Sequence, residues 1–223
     1  MCFDMFWTLV NPRTELEHLE YAPLCLTPEE WGRANWNDKT GKQRGNGRLG
    51  TPEAIMDRVF ASLPREITPK MRERAIEGKK HRMRTALTEI DPGILNCLRE
   101  IKERGLKIGL ISNADAFDDM YWDESPLKQF FDDAVFSYRA RLLKPDRRIY
   151  KLSLKNLGVT AKEAVFVGDG GSDELHGAKR IGMRTVWTEY LHKWDDKTRV
   201  NIEKYADIRI DSFKELAEYL KEY

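Results

Sequence analysis

From Asp91 onward, short apolar runs alternate with amphipathic stretches, and this alternation restricts the possible fold more than any other property of the chain. Asp91-Pro92 caps a helix on which Ile94, Leu98 and Ile101 share one face, and Gly105 ends it. Residues 106–111 form a near-continuous apolar run, the pattern of a strand covered on both faces. A helix is expected around 114–122, a strand at 134–136 and a helix from about 146 to 157. Thr160-Ala161-Lys162-Glu163 offers a short cap before a strand at 164–167, and Ser172-Asp173-Glu174-Leu175 opens another helix. Further strands are expected at 184–187 and 207–210, before a last helix from about 212 to 221. Repeated strand–helix units imply parallel strands joined by right-handed crossovers, hence an α/β fold with a Rossmann-like doubly wound parallel sheet.

The segment before Asp91 follows a different pattern. Met1-Cys2-Phe3 is an apolar run ending at Asp4, a short first strand unless it continues through Phe6. Residues 12–88 are helical in pattern and punctuated by start signals. Thr27-Pro28-Glu29-Glu30 carries a capping Thr, Pro at the first helical position and a Glu that closes a capping box, and Thr51-Pro52 and Thr68-Pro69 repeat the device. Residues 38–50 are rich in Gly and polar side chains and are expected to form a loop. The expected organisation is a core built from 1–11 and 89–223, with an α-helical domain, 12–88, inserted after the first strand.

Composition excludes several functions. With a net charge of +1, nothing global favours nucleic acid, and no apolar run approaches the roughly 20 residues that span a bilayer. The start lacks the basic and apolar regions of a signal peptide, so a cytoplasmic protein is expected. Cys2, Cys25 and Cys97 are scattered without metal-ligand spacing and read as reduced thiols. Residues 12–87 hold 15 Lys and Arg against 11 Asp and Glu, a mildly basic segment that suits a small anionic substrate.

In a doubly wound sheet, ligands bind beyond the carboxyl ends of the strands. Asp4, Ser112 and Asp169 each sit at or just past the end of an apolar run, so the topology brings them to one rim. Asp4 is a candidate nucleophile, with the Thr8 hydroxyl four residues on. Taken alone, an Asp in that place is more often a turn former. Ser112 and Asn113 offer a hydroxyl and helix-start N–H groups to a phosphate oxygen. Lys144, before Pro145, can offset clustered carboxylates. Asp169 and Asp173, separated by two glycines and a serine, can converge on a hard cation or can simply be a turn and a helix cap.

Strand-Asp4-x-x-x-Thr8, strand-Ser112-Asn113, Lys144-Pro145 and strand-Gly168-Asp169-x-x-x-Asp173 resemble, in that order, the four motifs of the haloacid dehalogenase-like (HAD) hydrolase superfamily, of the C1-capped subfamily I type. The resemblance implies Asp4 as nucleophile, Mg²⁺ held by Asp4, the backbone carbonyl of Phe6 and Asp169 with Asp173 in support, and Ser112 and Lys144 on the phosphate. It also implies that the insertion is a helical cap closing over small substrates.

The chain departs from this pattern at Phe6. Phosphatases of the superfamily place an aspartate there as general acid, a contribution of about 10²–10⁴-fold in rate. Its dehalogenases carry an aromatic residue at that position but need no metal and typically lack the acid pair. Trp7 follows where Gly is usual. A metal-dependent phosphatase is favoured, with a dehalogenase and a binding module of little turnover as the alternatives. In the glycine-rich stretch, Gln43, Arg44 and Arg48 are candidates for substrate contact, and Tyr190, His192 and Trp194 are candidates for the edge of the site.

Overall fold

The computed structural model describes residues 1–35 and 38–219. In chain order, β1 (Cys2–Phe3) leads into a helical block of α1 (His18–Tyr21), α2 (Pro28–Asn35), α3 (Asp38–Gly45), α4 (Pro52–Phe60) and α5 (Pro69–Thr88). There follow α6 (Pro92–Glu103), β2 (Gly109–Ser112), β3 (Asp133–Phe136), α7 (Ser137–Ala140) and α8 (Arg147–Leu157). The chain continues through β4 (Val165–Gly168), α9 (Glu174–Lys179), β5 (Arg184–Thr188), α10 (Asp196–Glu203), β6 (Ile208–Ile210) and α11 (Phe213–Tyr219).

The strands form one parallel sheet in the order β3-β2-β1-β4-β5-β6, an α/β doubly wound architecture in which the shortest strand lies near the centre. Cys2 faces Gly109 and Phe166, and Phe3 faces Leu110 and Val167. Side-chain alternation divides the core accordingly. Phe3, Leu110, Val167 and Val186 pack on one face with Ile94, Leu98 and Ile101 of α6 and Leu216 of α11. Cys2, Ile111, Phe166 and Trp187 pack on the other with Ile149 and Leu154 of α8 and Leu175 of α9. Each fully buried Ile or Leu stabilises the fold by about 1.5–3 kcal/mol relative to exposure.

The capping signals act locally as their chemistry requires. Asp91 accepts from the N–H groups of Gly93 and Ile94, and Thr27 and Glu30 exchange the two bonds of a capping box. The helical block has its own core of Trp31, Ile55, Met56, Val59 and Met83, which also takes in Ala116 and Phe117 from the segment after β2.

Three sequence expectations are corrected. The strand expected at 106–111 begins only at Gly109, and Leu106 is exposed. The helix expected around 114–122 is a series of turns ending in a short 3₁₀ segment. There Asp115 accepts from the Phe117 N–H and its own N–H goes to the Asp118 carboxylate, local bonds that compete with a helix. The loop expected at 38–50 instead begins as α3, and only 46–50 are turn and bend.

Candidate active site

Asp4 follows β1 directly, its N–H held by the Val167 carbonyl at 2.9 Å. The next residues close a tight turn in which Leu9 and Val10 both donate to the Met5 carbonyl and Trp7 donates to that of Val10. This turn carries Thr8 back under Asp4, where its hydroxyl donates to Asp4 Oδ2 at 3.2 Å, both side chains being buried. Trp7 pays for the geometry with left-handed backbone (φ 61°), a conformation that costs a non-glycine residue about 1–3 kcal/mol. Its ring packs on His192 at 4.8 Å, and His192 packs edge-on against Trp194 at 4.6 Å.

Ser112 ends β2 beside this turn. Its Oγ is buried and has no hydrogen-bond partner among the described residues, an arrangement that normally calls for explanation. Asn113 is a clamp: its side-chain carbonyl accepts from the Lys144 N–H at 2.7 Å and its amide donates to the Lys144 carbonyl at 3.2 Å. So held, the buried Lys144 ammonium bonds Asp4 Oδ1 and reaches Glu174 Oε2 at 2.6 Å. Burial alone would favour neutral lysine, but the two carboxylates more than offset it and keep the group charged.

β4 delivers Gly168 and then Asp169. Trp187 and Trp194 both donate their indole N–H to the Asp169 carbonyl, at 3.1 and 2.8 Å, which joins the acidic loop through Trp194 and His192 to Trp7. Gly170 takes φ 91°, and a Cβ there would lie 2.5 Å from Ile202. Asp173 does not converge with Asp169. Ser172 and Asp173 both adopt left-handed backbone, and the Asp173 side chain is exposed. Glu174, one residue later, is buried instead, and Asp4, Asp169 and Glu174 offer carboxylate oxygens that all lie within 4.8 Å of one another.

Three carboxylates against one ammonium leave excess negative charge in a buried site. Burial first, then the charge of Asp4, pushes the Asp169 carboxyl up to about 6, and the same causes raise Glu174 well above the ordinary range. All the donor atoms are hard oxygens, the chemistry that Mg²⁺ selects.

Two cavities adjoin the rim. One, about 380 Å³, is lined by Phe6, Trp7 and Asn113 and by Lys79, Arg82 and Met83 of α5. The other, about 480 Å³, lies between α3 and the segment of Asn113, Lys144 and Asp173. Asp118 lines both. Arg44 borders the second, but its guanidinium is committed: it is ion-paired with buried Asp115 and donates to both oxygens of Asn35 at 2.8 and 2.9 Å. Gln43 is partly buried, Arg48 is exposed, and neither lines these cavities. Tyr190 packs on Phe213. Glu174, Asp115 and Asp118 were not singled out by their sequence context. Acidic residues before a helix or in a turn are common, and only five-residue spacing after Asp169 distinguishes Glu174.

Comparison with known proteins bears on the family and the fold. A family model described as haloacid dehalogenase-like hydrolase matches residues 49–188. A glyceraldehyde 3-phosphate phosphatase of Methanocaldococcus jannaschii is 33% identical over 147 residues, 63% of this chain and 60% of that protein. The chain thus spans about 60% of the length of that curated relative. Among solved structures, a HAD phosphatase from Thermococcus onnurineus superposes with a TM-score of 0.66 at 19% identity, covering 98% of this chain and 96% of that one. A 2-haloacid dehalogenase from Pseudomonas syringae pv. Tomato DC3000 gives 0.68 at 22% identity over 99% and 97%. At these identities the structures share a fold, and the chemistry has to be read from the site.

Proposed function

The chain belongs to the haloacid dehalogenase-like hydrolases, and from that premise we propose that it is a Mg²⁺-dependent phosphatase acting on a small phosphorylated metabolite through an aspartyl-phosphate on Asp4. The observation that carries this reading is the convergence of Asp4, Asp169 and Glu174 around a single lysine. Carboxylates this close favour protonation unless a cation joins them, and a reaction that needs no metal gives no reason to collect them. The name of the Methanocaldococcus jannaschii relative agrees with a small phosphate ester as substrate.

In this reading Asp4, Asp169 and Glu174 hold the cation, with the Phe6 carbonyl in the turn beside them. Bound there, Mg²⁺ neutralises charge on the phosphoryl oxygens. Ser112 directs its unpartnered hydroxyl, and Lys144 its ammonium, to the same oxygens, while Asn113 fixes Lys144. Thr8 holds Asp4 through Oδ2, orienting it for attack on phosphorus. The P–O bond to the leaving group breaks as the P–O bond to Asp4 forms, and water then releases inorganic phosphate. Residues 12–88 act as a cap over the core of 1–11 and 89–223, and the cavities of about 380 and 480 Å³ suit a metabolite rather than a macromolecule. The commitment of Arg44 to Asp115 makes it a strut between cap and core rather than a substrate ligand.

Phe6 favours a second reading, a dehalogenase in which the carboxylate attacks carbon and halide leaves without a proton. The test is phosphate release from p-nitrophenyl phosphate. It is expected to require Mg²⁺, to stop with EDTA, to recover on adding Mg²⁺ back, and to vanish in Asp4→Asn. Metal-independent chloride release from 2-chloropropionate, with no phosphate release, would establish the dehalogenase instead.

A further inference from the structure

Phe6 leaves the proposed phosphatase without a side chain able to protonate the leaving group from the position next to the nucleophile turn. We propose that Asp118, from the turn segment after β2, supplies that proton across the cavity it shares with Phe6. The inference rests on the phosphatase reading.

Position supports the assignment first. Asp118 lines the cavity that holds Phe6, Trp7 and Asn113, and also the cavity that holds Asn113 and Lys144, whose ammonium touches Asp4. It therefore borders both spaces, alongside Asn113, the residue that clamps Lys144. The placement is built: Asp118 Oδ2 accepts from the Asp115 N–H at 2.8 Å, in a segment anchored by Phe117 in the core of the helical block.

The surroundings select the protonation state. Asp115 lies in the same turn, Arg44 comes from α3 and Lys79 and Arg82 come from α5, with Glu17 and Lys144 lining the cavities. Burial would raise the Asp115 carboxyl, but Arg44 and Lys79 hold it below the usual range, so it stays anionic and cannot donate. Burial and the negative charge of Asp115 push the Asp118 carboxyl up to about 7, matched to a proton donor that must also take a proton back near neutral pH. Glu17 is the rival. Its carboxyl is also raised, chiefly by burial, but it lies on the helical block, lines only the smaller cavity and sits 3.9 Å from Arg82.

The proton balance closes over one turnover. As an Asp4 oxygen bonds phosphorus and the ester P–O bond breaks, the Asp118 carboxyl gives its proton to the departing oxygen, and an alcohol leaves. The Asp118 carboxylate then takes a proton from the water that attacks the phosphoaspartate. The bond from phosphorus to Asp4 breaks, inorganic phosphate departs and the acid is restored.

Leaving groups of different basicity test this. p-Nitrophenolate departs without help, whereas phenolate needs the proton more. In Asp118→Asn, kcat/KM for phenyl phosphate is expected to fall about 10²-fold further than for p-nitrophenyl phosphate. Adding Phe6→Asp to that variant should recover the phenyl phosphate rate. In the wild-type enzyme, phenyl phosphate turnover should decline above about pH 7 more steeply than p-nitrophenyl phosphate turnover, a readout that does not depend on the variant folding. An equal loss on both substrates, or a selective loss in Glu17→Gln and not in Asp118→Asn, overturns the assignment and leaves the phosphatase intact. A wild-type enzyme that releases phosphate from neither ester overturns both.

Discussion

Asp118 is a carboxyl whose usefulness and whose cost have one origin. The burial and repulsion that raise it to about 7 also penalise the folded state once the unfolded chain can ionise that group freely. Below pH 4 both states hold the proton and nothing is lost. Between about pH 4 and 7 the unfolded state releases it while the folded state does not, so stability falls as pH rises through this window. Asp118→Asn escapes the penalty and can still accept from the Asp115 N–H. Its stability relative to wild type, read by thermal denaturation at each pH, should therefore climb from pH 4 to pH 7 and level off above, reaching a gain of a few kcal/mol. A difference that does not vary with pH would show that Asp118 titrates like an exposed aspartate. Trp7 is a comparable case, since its left-handed backbone is held by the Val10 carbonyl and the His192 ring.

Helix α5 shows the same reversal of local preference at the scale of elements. Gly78 sits in its interior, where Ala would ordinarily stabilise by about 1 kcal/mol. A Cβ at Gly78 would lie 2.1 Å from the Leu19 carbonyl oxygen of α1, and the two helices are further joined where buried Glu20 pairs with Lys79 and Arg82. Gly78→Ala is expected to lower stability by about 1–3 kcal/mol, read by thermal or urea denaturation, because α1 must move to admit the methyl group. Such close approaches explain what the sequence could and could not reveal. The parallel strand–helix alternation and the positions of Asp4, Ser112 and Asp169 at or just past strand ends follow from local patterns that the tertiary structure respects. Helix α3 does not, since its glycines argue for a loop and the buried pairing of Arg44 with Asp115 holds the segment in place. Residues 114–122 erred the other way, because Asp115 and Asp118 satisfy backbone N–H groups that a helix would have used. The motif resemblance points to Asp173 and not Glu174, but with left-handed backbone at Ser172 and Asp173 it is Asp173 that is exposed and Glu174 that is buried.

For the molecule as a whole, the proposed Mg²⁺ site makes a prediction about global stability. A cation that binds only the folded state stabilises it by about 2.7 kcal/mol at one hundred times its Kd, or roughly 5–10 °C in a chain of this size. Mg²⁺ should therefore raise the melting temperature of the wild-type protein. Glu174→Gln should need about 10–100-fold more Mg²⁺ for the same rise, while Asp173→Asn should follow the wild-type titration. Equal behaviour of the two variants would return Asp173 to the cluster. The central position of β1 has a consequence in time as well. Its two residues pair with Gly109 and Leu110 on one side and with Phe166 and Val167 on the other, segments more than a hundred positions away. Loops that long close slowly, so the pocket around Asp4 is completed only when distant stretches of polypeptide have docked. The proposed reactivity is thus expected to be among the last properties a newly made copy acquires.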